Sequence, residues 1–227
     1  MTWEVETEPE VTEWYLSLSG NDRDLVAERV DLLANLGHML RMPHTRPLGE
    51  GLFELRFDMS RRSWRITYWH RPDGVIVLLT VFHKQRDNEA REVARARRAL
   101  DACRANHTPR ASRNANEKGG PDPMRFKELD ELARRDETPE ERAYHDRRRA
   151  ELRAALYAGI AIRDAREEAG LSQTELAARI GIAQSALSRI EAGRANLTLG
   201  TLQRVTDALG LPLKLGVGSH EVAIPAA

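Results

Sequence analysis

Between Leu52 and Lys84 apolar and polar residues alternate with the two-residue period of half-buried strands. In the first run Phe53, Leu55 and Phe57 alternate with Glu54, Arg56 and Asp58. In the second, Trp64, Ile66 and Tyr68 alternate with Arg65, Thr67 and Trp69. A Pro72-Asp73-Gly74 turn then leads into Val75–Phe82, apolar on both faces as a central strand would be. Upstream, Trp3–Thr7 reads as a strand, and Pro9–Leu18 and Asp22–Leu36 carry helical stripes, with Asn21 as the expected N-cap of the second. Downstream, Val93, Ala96, Leu100 and Cys103 have the spacing of a buried helix face over about Asn88–Arg104. This order predicts an α+β domain over residues 1–104, with helices packed on one face of a mostly antiparallel sheet.

The pattern stops at residues 105–123, which hold no large apolar side chain and are rich in Pro, Gly, Ser and Asn, as linkers are. Met124, where an amphipathic pattern resumes, is a candidate relic of a separate start site. Phe126–Arg135 predicts a short helix. Thr138-Pro139-Glu140-Glu141 is a strong helix start whose pattern runs to Tyr157, with an interruption expected at Gly159, and on to Gly170. Ser172 and Glu175 form a capping box, Gly181 provides a sharp turn, and Gln184–Ala192 a further helix. Leu202, Val205 and Leu209 close the set, giving the order of an all-α helix-turn-helix domain. The expected division is thus 1–104, a linker 105–123, a helical segment 124–150, a helix-turn-helix domain 151–217 and a tail 218–227.

Charge adds a local asymmetry. Basic and acidic residues balance at 35 each, so the total says nothing of a polyanionic partner. Nine acids face only Arg23 and Arg29 in residues 1–31, whereas residues 32–106 hold fourteen bases against eight acids. The single Cys103 excludes an internal disulfide framework and a cysteine metal site, and its spacing marks it as a buried helix residue. No motif asks for a metal or another cofactor. No apolar run approaches a membrane span, and the acidic N-terminus is unlike a signal peptide, so the expected compartment is the cytoplasm.

Arg56, Arg65 and Lys84 share the polar parity of their strands, and three cations on one half-apolar sheet face suit a phosphate-bearing ligand. Taken by alternation alone they are equally readable as solvated strand charges. The series Leu36-Gly37, Pro47–Arg56, Trp64–Tyr68 and Phe82-His83-Lys84, followed by an Arg/Ala-rich helix, resembles the HigB branch of the RelE-type toxins, the phage Gp49-like family. That resemblance implies a metal-independent endoribonuclease that cleaves mRNA at the ribosome. It assigns Arg56 and Arg65 to phosphate and transition-state charge and Lys84 to charge or proton transfer. Gln85 stands where the family often has a second lysine. His83 is a candidate acid–base group by its intrinsic pKa, although its parity, like that of Tyr68, points away from the cations.

The run from Leu171 to Leu211 resembles the Xre/Cro repressors, including HigA-type antitoxins. The resemblance starts the recognition helix near Ala183, without the hydroxyl N-cap common in the family. It turns Gln184, Ser185, Ser188 and Arg189 to the major groove and Gln173, Arg194, Asn196 and Thr198 to phosphates. A dimer on an inverted-repeat operator is implied. Together the resemblances imply a toxin and its antitoxin in one polypeptide, with restraint expected through residues 124–156. A rival reading is a helix-turn-helix regulator whose first domain is catalytically inactive and binds a partner; another is a nuclease that uses its second domain as a tether.

Overall fold

The computed structural model describes residues 2–85, 89–106 and 123–226, and divides into two compact units, Met1–Arg149 and Ala150–Ala227. The core of the expected linker, residues 107–122, lies outside the described residues; Ala105 and Asn106 belong to the preceding helix.

The first unit begins with strand β1 (Glu4–Thr7), helix α1 (Pro9–Ser17) and helix α2 (Gly20–Leu36). Pro9 stands at the start of α1, where its missing N–H costs nothing. Ser19, rather than Asn21, caps α2: its hydroxyl accepts from the backbone N–H of Asp22 at 3.3 Å, and the helix starts two residues earlier than expected. Gly37 ends α2 with φ +51°, and the Trp3 ring lies where a side chain would stand. Strands β2 (Thr45–Gly49), β3 (Leu52–Met59), β4 (Arg62–His70) and β5 (Val75–His83) follow, then helix α3 (Glu89–Asn106).

The sheet order is β2-β3-β4-β5-β1 and then a short β6 (Met124–Arg125). Among the described residues of this sheet only β1 and β5 pair in parallel; the other neighbours are antiparallel. β5 therefore lies inside the sheet, which explains its apolar residues on both faces. The helices do not share one face, as the element order led us to expect. Ala96, Leu100 and Cys103 of α3 pack on Leu52, Val75, Val77 and Leu79. The opposite face, with Leu55, Ile66, Ile76 and Leu78 fully buried, lies against α1 and α2, where Trp14 meets Trp64 at 5.3 Å. A sheet apolar on both faces needs a helical layer on each. Cys103 is buried, and burial and Glu8 push its thiol up to about 12.

Residues 124–149 fold onto this same unit. Met124 and Arg125, where the amphipathic pattern resumes, form β6 on the outer edge of β1, and the expected short helix begins at Phe126. Helix α4 (Phe126–Ala133) buries Phe126 and Leu129, with Phe126 edge-on to Tyr15 at 5.1 Å. Helix α5 (Pro139–Glu168) starts in this unit and continues into the second.

In the second unit Ile162 of α5 joins helices α6 (Gln173–Arg179), α7 (Gln184–Glu191) and α8 (Leu199–Leu209) around Leu176, Ala177, Ile180, Leu187 and Val205. Gly159 does not interrupt α5. It lets the helix approach the carbonyl of Ile190, against which a Cβ would collide. Residues 218–227 are not simply a tail, because strand β8 (His220–Ile224) pairs antiparallel with β7 (Leu213–Val217). No described helix is long and apolar enough to cross a membrane.

Candidate functional sites: a cationic sheet face and a helix-turn-helix

Across the β3–β4 ladder Arg56 stands opposite Arg65, which places both on one face. Lys84 reaches that face through an irregularity in β5. Thr67 pairs with Thr80 but Tyr68 pairs with Leu78, so Leu79 is an extra residue. Val77 and Thr80 consequently share a face despite their opposite parity, and the alternation continues through Phe82 to Lys84, whose N–H extends the ladder to the Ser63 carbonyl at 2.7 Å. α3 covers the apolar half of this face, and the cations occupy the other half.

Beneath the two arginines lies a carboxylate that the sequence reading did not single out. Glu54 is 2% exposed, with Oε1 3.4 Å from Arg56 Nε and 3.8 Å from Arg65 Nε. Burial raises the Glu54 pKa, and Arg65, Arg56 and Arg46 oppose that rise. Arg65 itself is only 8% exposed, although its polar strand position led us to expect exposure, and it donates to the Trp64 carbonyl at 2.6 Å. Burial, then neighbouring Arg56, lowers its pKa, but a guanidinium keeps its charge at neutral pH. Arg46 joins from β2, opposite Glu54. Glu89, at the start of α3, pairs with both Arg46 (3.3 Å) and Lys84 (3.4 Å). Arg46, Arg56, Arg65 and Lys84 outnumber Glu54, Glu89 and Asp58, whose carboxylate also acts on Arg65, by one formal charge on a partly open face.

His83 and Tyr68 lie on the other face. His83 stands opposite Trp64, 5.7 Å between ring centroids, with Nε2 2.6 Å from the Gln85 amide nitrogen. Tyr68 is buried and stacked on Phe53 at 5.5 Å, and burial raises its hydroxyl pKa. The structure thus brings together Arg56, Arg65 and Lys84 but leaves His83 off their face. At the strand ends Lys84 and His83 nevertheless line one open pocket of about 470 Å³ with Arg61, Arg62, Ser63 and Gln85.

Residues 124–149 engage a different part of the unit. Arg149 is 10% exposed, and its guanidinium bridges Asp24 of α2 (2.7 Å) and Asp130 of α4 (2.6 Å). The Tyr15 hydroxyl donates to Asp130 at 2.5 Å, and His145 Nδ1 lies 2.6 Å from Asp24. Arg23 donates to the Ala133 carbonyl. Burial opposes charge on both partners, yet hydrogen bonds from Arg149 and Tyr15 hold Asp130 below the usual carboxylate range, and the two carboxylates raise Arg149. These contacts lie on α1, α2 and the β1 edge, leaving the Arg56–Arg65–Lys84 cluster uncovered by this segment.

In the second unit the capping box of Ser172 and Glu175 starts α6, Gly181 turns with φ +68°, and Ala183 precedes α7 with no side-chain cap. Gln184, Ser185 and Arg189 are exposed and Ser188 is half-buried. The exposed residues Arg194, Asn196 and Thr198 follow, and the Thr198 hydroxyl caps α8 by accepting from Thr201 N–H at 3.1 Å. A polar chain anchored on buried Glu191, also missed in the sequence, holds α6 and α7 together. Arg166 grips fully buried Glu191 at 2.6 and 3.0 Å, Gln173 donates to Glu191 at 2.8 Å, and Gln184 donates to Gln173 at 2.7 Å. Gln173 and Gln184 thus orient each other before any ligand arrives.

Comparison with curated proteins finds no match to the chain. Family comparison matches residues 13–101 to the phage derived protein Gp49-like family and residues 162–215 to the helix-turn-helix family. The chain therefore joins a Gp49-like domain, of the RelE/HigB-like toxin family, to a C-terminal Xre-type helix-turn-helix domain.

Proposed function

We propose that the protein is a fused toxin–antitoxin: a ribosome-dependent mRNA endoribonuclease, and so a translation inhibitor, restrained by a DNA-binding antitoxin part that represses its own operator. The observation that carries the catalytic reading is the cationic cluster assembled over buried Glu54. Cleavage of RNA without a metal proceeds by attack of a ribose 2′-hydroxyl oxygen on the adjacent phosphorus, its proton passing to solvent, as the bond from phosphorus to the 5′-oxygen breaks. Arg56 and Arg65 hold the phosphate and offset the charge of the phosphorane. Lys84, 43% exposed, supplies a proton to the departing 5′-oxygen. Glu54 is a positioning residue, fixing both guanidinium groups without reaching substrate. His83 is not assigned an acid–base role, because its ring is off this face.

Restraint in this reading comes from residues 124–149. Their grip on Tyr15 and Asp24 leaves the cations open, which favours obstruction of ribosome access by bulk over covering of the cleavage site. DNA readout falls to Gln184, Ser185, Ser188 and Arg189, with phosphate contacts from Gln173, Arg194, Asn196 and Thr198, in a homodimer on an inverted repeat. The compartment is the cytoplasm, where ribosome and operator are both accessible. The rival, a regulator with an inactive first domain, draws on the distance of His83 and Tyr68 from the cations.

Expression of residues 1–106 beside the full chain tests the reading, with folding of the short form checked by circular dichroism. Growth arrest and mRNA cleavage from the short form alone are expected. A folded short form that leaves growth and mRNA intact sinks the endoribonuclease reading and favours the inactive-domain regulator.

A further inference from the structure

The β3–β4 turn does something that its backbone disfavours. Ser60 and Arg61 have φ +50° and +61°, a two-residue turn at which Asn and Gly are the easy choices. The turn is anchored, since the Ser60 hydroxyl lies 3.1 Å from both carboxylate oxygens of Asp22. An arginine therefore occupies a strained position at the rim of the open pocket, with exposed Arg62 next to it. Three half-buried rings stand in a row at this end of the sheet. Trp14 lies 5.3 Å from Trp64, and Trp64 lies 5.7 Å from His83, which lines the pocket. The buried Trp64 Nε1 donor has no hydrogen-bond partner among the described residues.

Lys84 ties this pocket to the cation cluster. From Arg56 and Arg65 the ladder runs two residues, about 7 Å, to Asp58 and Ser63, and then to the turn. Past Asp58, whose carboxylate accepts from Ser63 at 2.6 Å and also acts on Arg65, cations follow at Lys84, Arg61 and Arg62, with aromatic rings beside the far end. A basic track flanked by rings matches a single nucleic-acid strand: phosphates follow the charge and a base stacks on a ring.

We propose that this end of the sheet is a nucleotide subsite next to the cleavage site: Arg61 and Arg62 hold a flanking phosphate of single-stranded RNA, and its base stacks against the Trp64–His83 ring pair. The subsite rests on the RNA reading of the cation cluster. It gives His83 a substrate-contacting role that needs no proton transfer.

Trp3, Trp14, Trp64 and Trp69 are all in the first unit and none is in the helix-turn-helix. Tryptophan quenching in the full chain therefore reports RNA at the first unit even if the second unit also binds nucleic acid. The probe is a six-nucleotide oligouridylate, titrated at several salt concentrations. Quenching is expected, with affinity weakened about tenfold by His83→Ala. His83→Phe keeps a ring but no titratable nitrogen, and should restore the affinity. Arg61→Asn keeps a residue that tolerates the turn, and should reduce the salt slope by about 0.7. Binding that depends on Arg56 but is unchanged by Arg61→Asn and His83→Ala overturns the subsite and leaves the cluster reading intact. Binding lost on Arg61→Asn and His83→Ala but indifferent to Arg56→Ala supports the subsite and removes the cluster from RNA contact. No quenching at low salt in the folded protein overturns both.

Discussion

The first unit holds two arginine–carboxylate networks built to opposite specifications. Around Arg149 the charges nearly balance: Asp24 is 1% exposed, Asp130 also accepts from Tyr15, and the guanidinium is enclosed by its partners. Around Glu54 four cations share three carboxylates, Glu54, Glu89 and Asp58, and Lys84 and Arg46 remain open to solvent. Enclosing a charge is tolerable only when its partners are complete, so the first network joins two chain segments and has no capacity for a further ligand. Among the described residues the second carries surplus charge that an external anion would neutralise. The second unit repeats the contrast. Arg166 is consumed by buried Glu191, whereas Arg189, on the same helix as Glu191, is exposed.

The largest effect should come from breaking the closed network. Arg149→Ala leaves Asp24 and Asp130 buried with partners missing, and should cost about 3–5 kcal/mol in stability of the first unit. Denaturant unfolding of the full chain measures it. If residues 124–149 restrain the toxin, the same substitution should also make the full chain toxic. A change below about 1 kcal/mol would place this network among ordinary surface pairs.

Breaking the open network should spare stability and remove activity. Arg56→Ala in residues 1–106 is expected to lower RNA cleavage about 10²–10³-fold, the loss typical for one donor to a transition-state oxyanion. Arg56 is the cleaner choice because Arg65 is enclosed beside Glu54, and its loss would also perturb folding. Unaltered cleavage by a folded Arg56→Ala variant would reduce the cluster to structural charges.

Acid should discriminate between the interior histidine and the closed network of Asp130. His70 sits among Trp3, His38 and Phe53, and burial, helped by His38, lowers its pKa to about 4. A folded pKa below the unfolded value of about 6.5 means that stability is complete above pH 6.5 and is lost as pH falls from there towards 4. The full shift corresponds to about 3 kcal/mol, discounted to about 2 for the solvent contact the ring retains. Asp130 carries the corresponding carboxylate signature lower on the scale. Its depressed pKa supports the fold above about pH 4 and ceases to do so as pH falls through the folded value. Unfolding from pH 7 to pH 4 should therefore show a His70-dependent loss that His70→Phe removes, with the Asp130 loss following at lower pH. A pH 7–4 profile unchanged by His70→Phe would assign that loss elsewhere.

Arg189→Ala should have the most local consequence, a loss of about 1–3 kcal/mol in operator binding if its contact is a bidentate guanine pair. Fluorescence anisotropy against operator and scrambled duplex separates the cases. Equal weakening on both would make Arg189 a phosphate contact.

Much of this was legible locally. Strand alternation put Arg56 and Arg65 on one face, and they stand opposite each other in the ladder. The capping box, Gly181 and the apolar spacing placed α6 and α7, because caps and turns act over three or four residues. What the sequence could not yield were the relations between segments. Glu54 reads as one more polar strand residue until the β2–β3–β4 register sets Arg46, Arg56 and Arg65 around it. The cationic parity of Lys84 agrees with the packing of Val77 only through the extra residue at Leu79, and strand pairing, not periodicity, creates that bulge. The second helical layer, of α3, follows from β5 being central, since both faces must then be covered. The grip of Arg149 on Asp24 joins residues more than a hundred positions apart. Periodicity determines which face of an element is apolar; which surface meets it is decided by closure of the whole fold, because burial and charge pairing depend on neighbours that are distant in the chain.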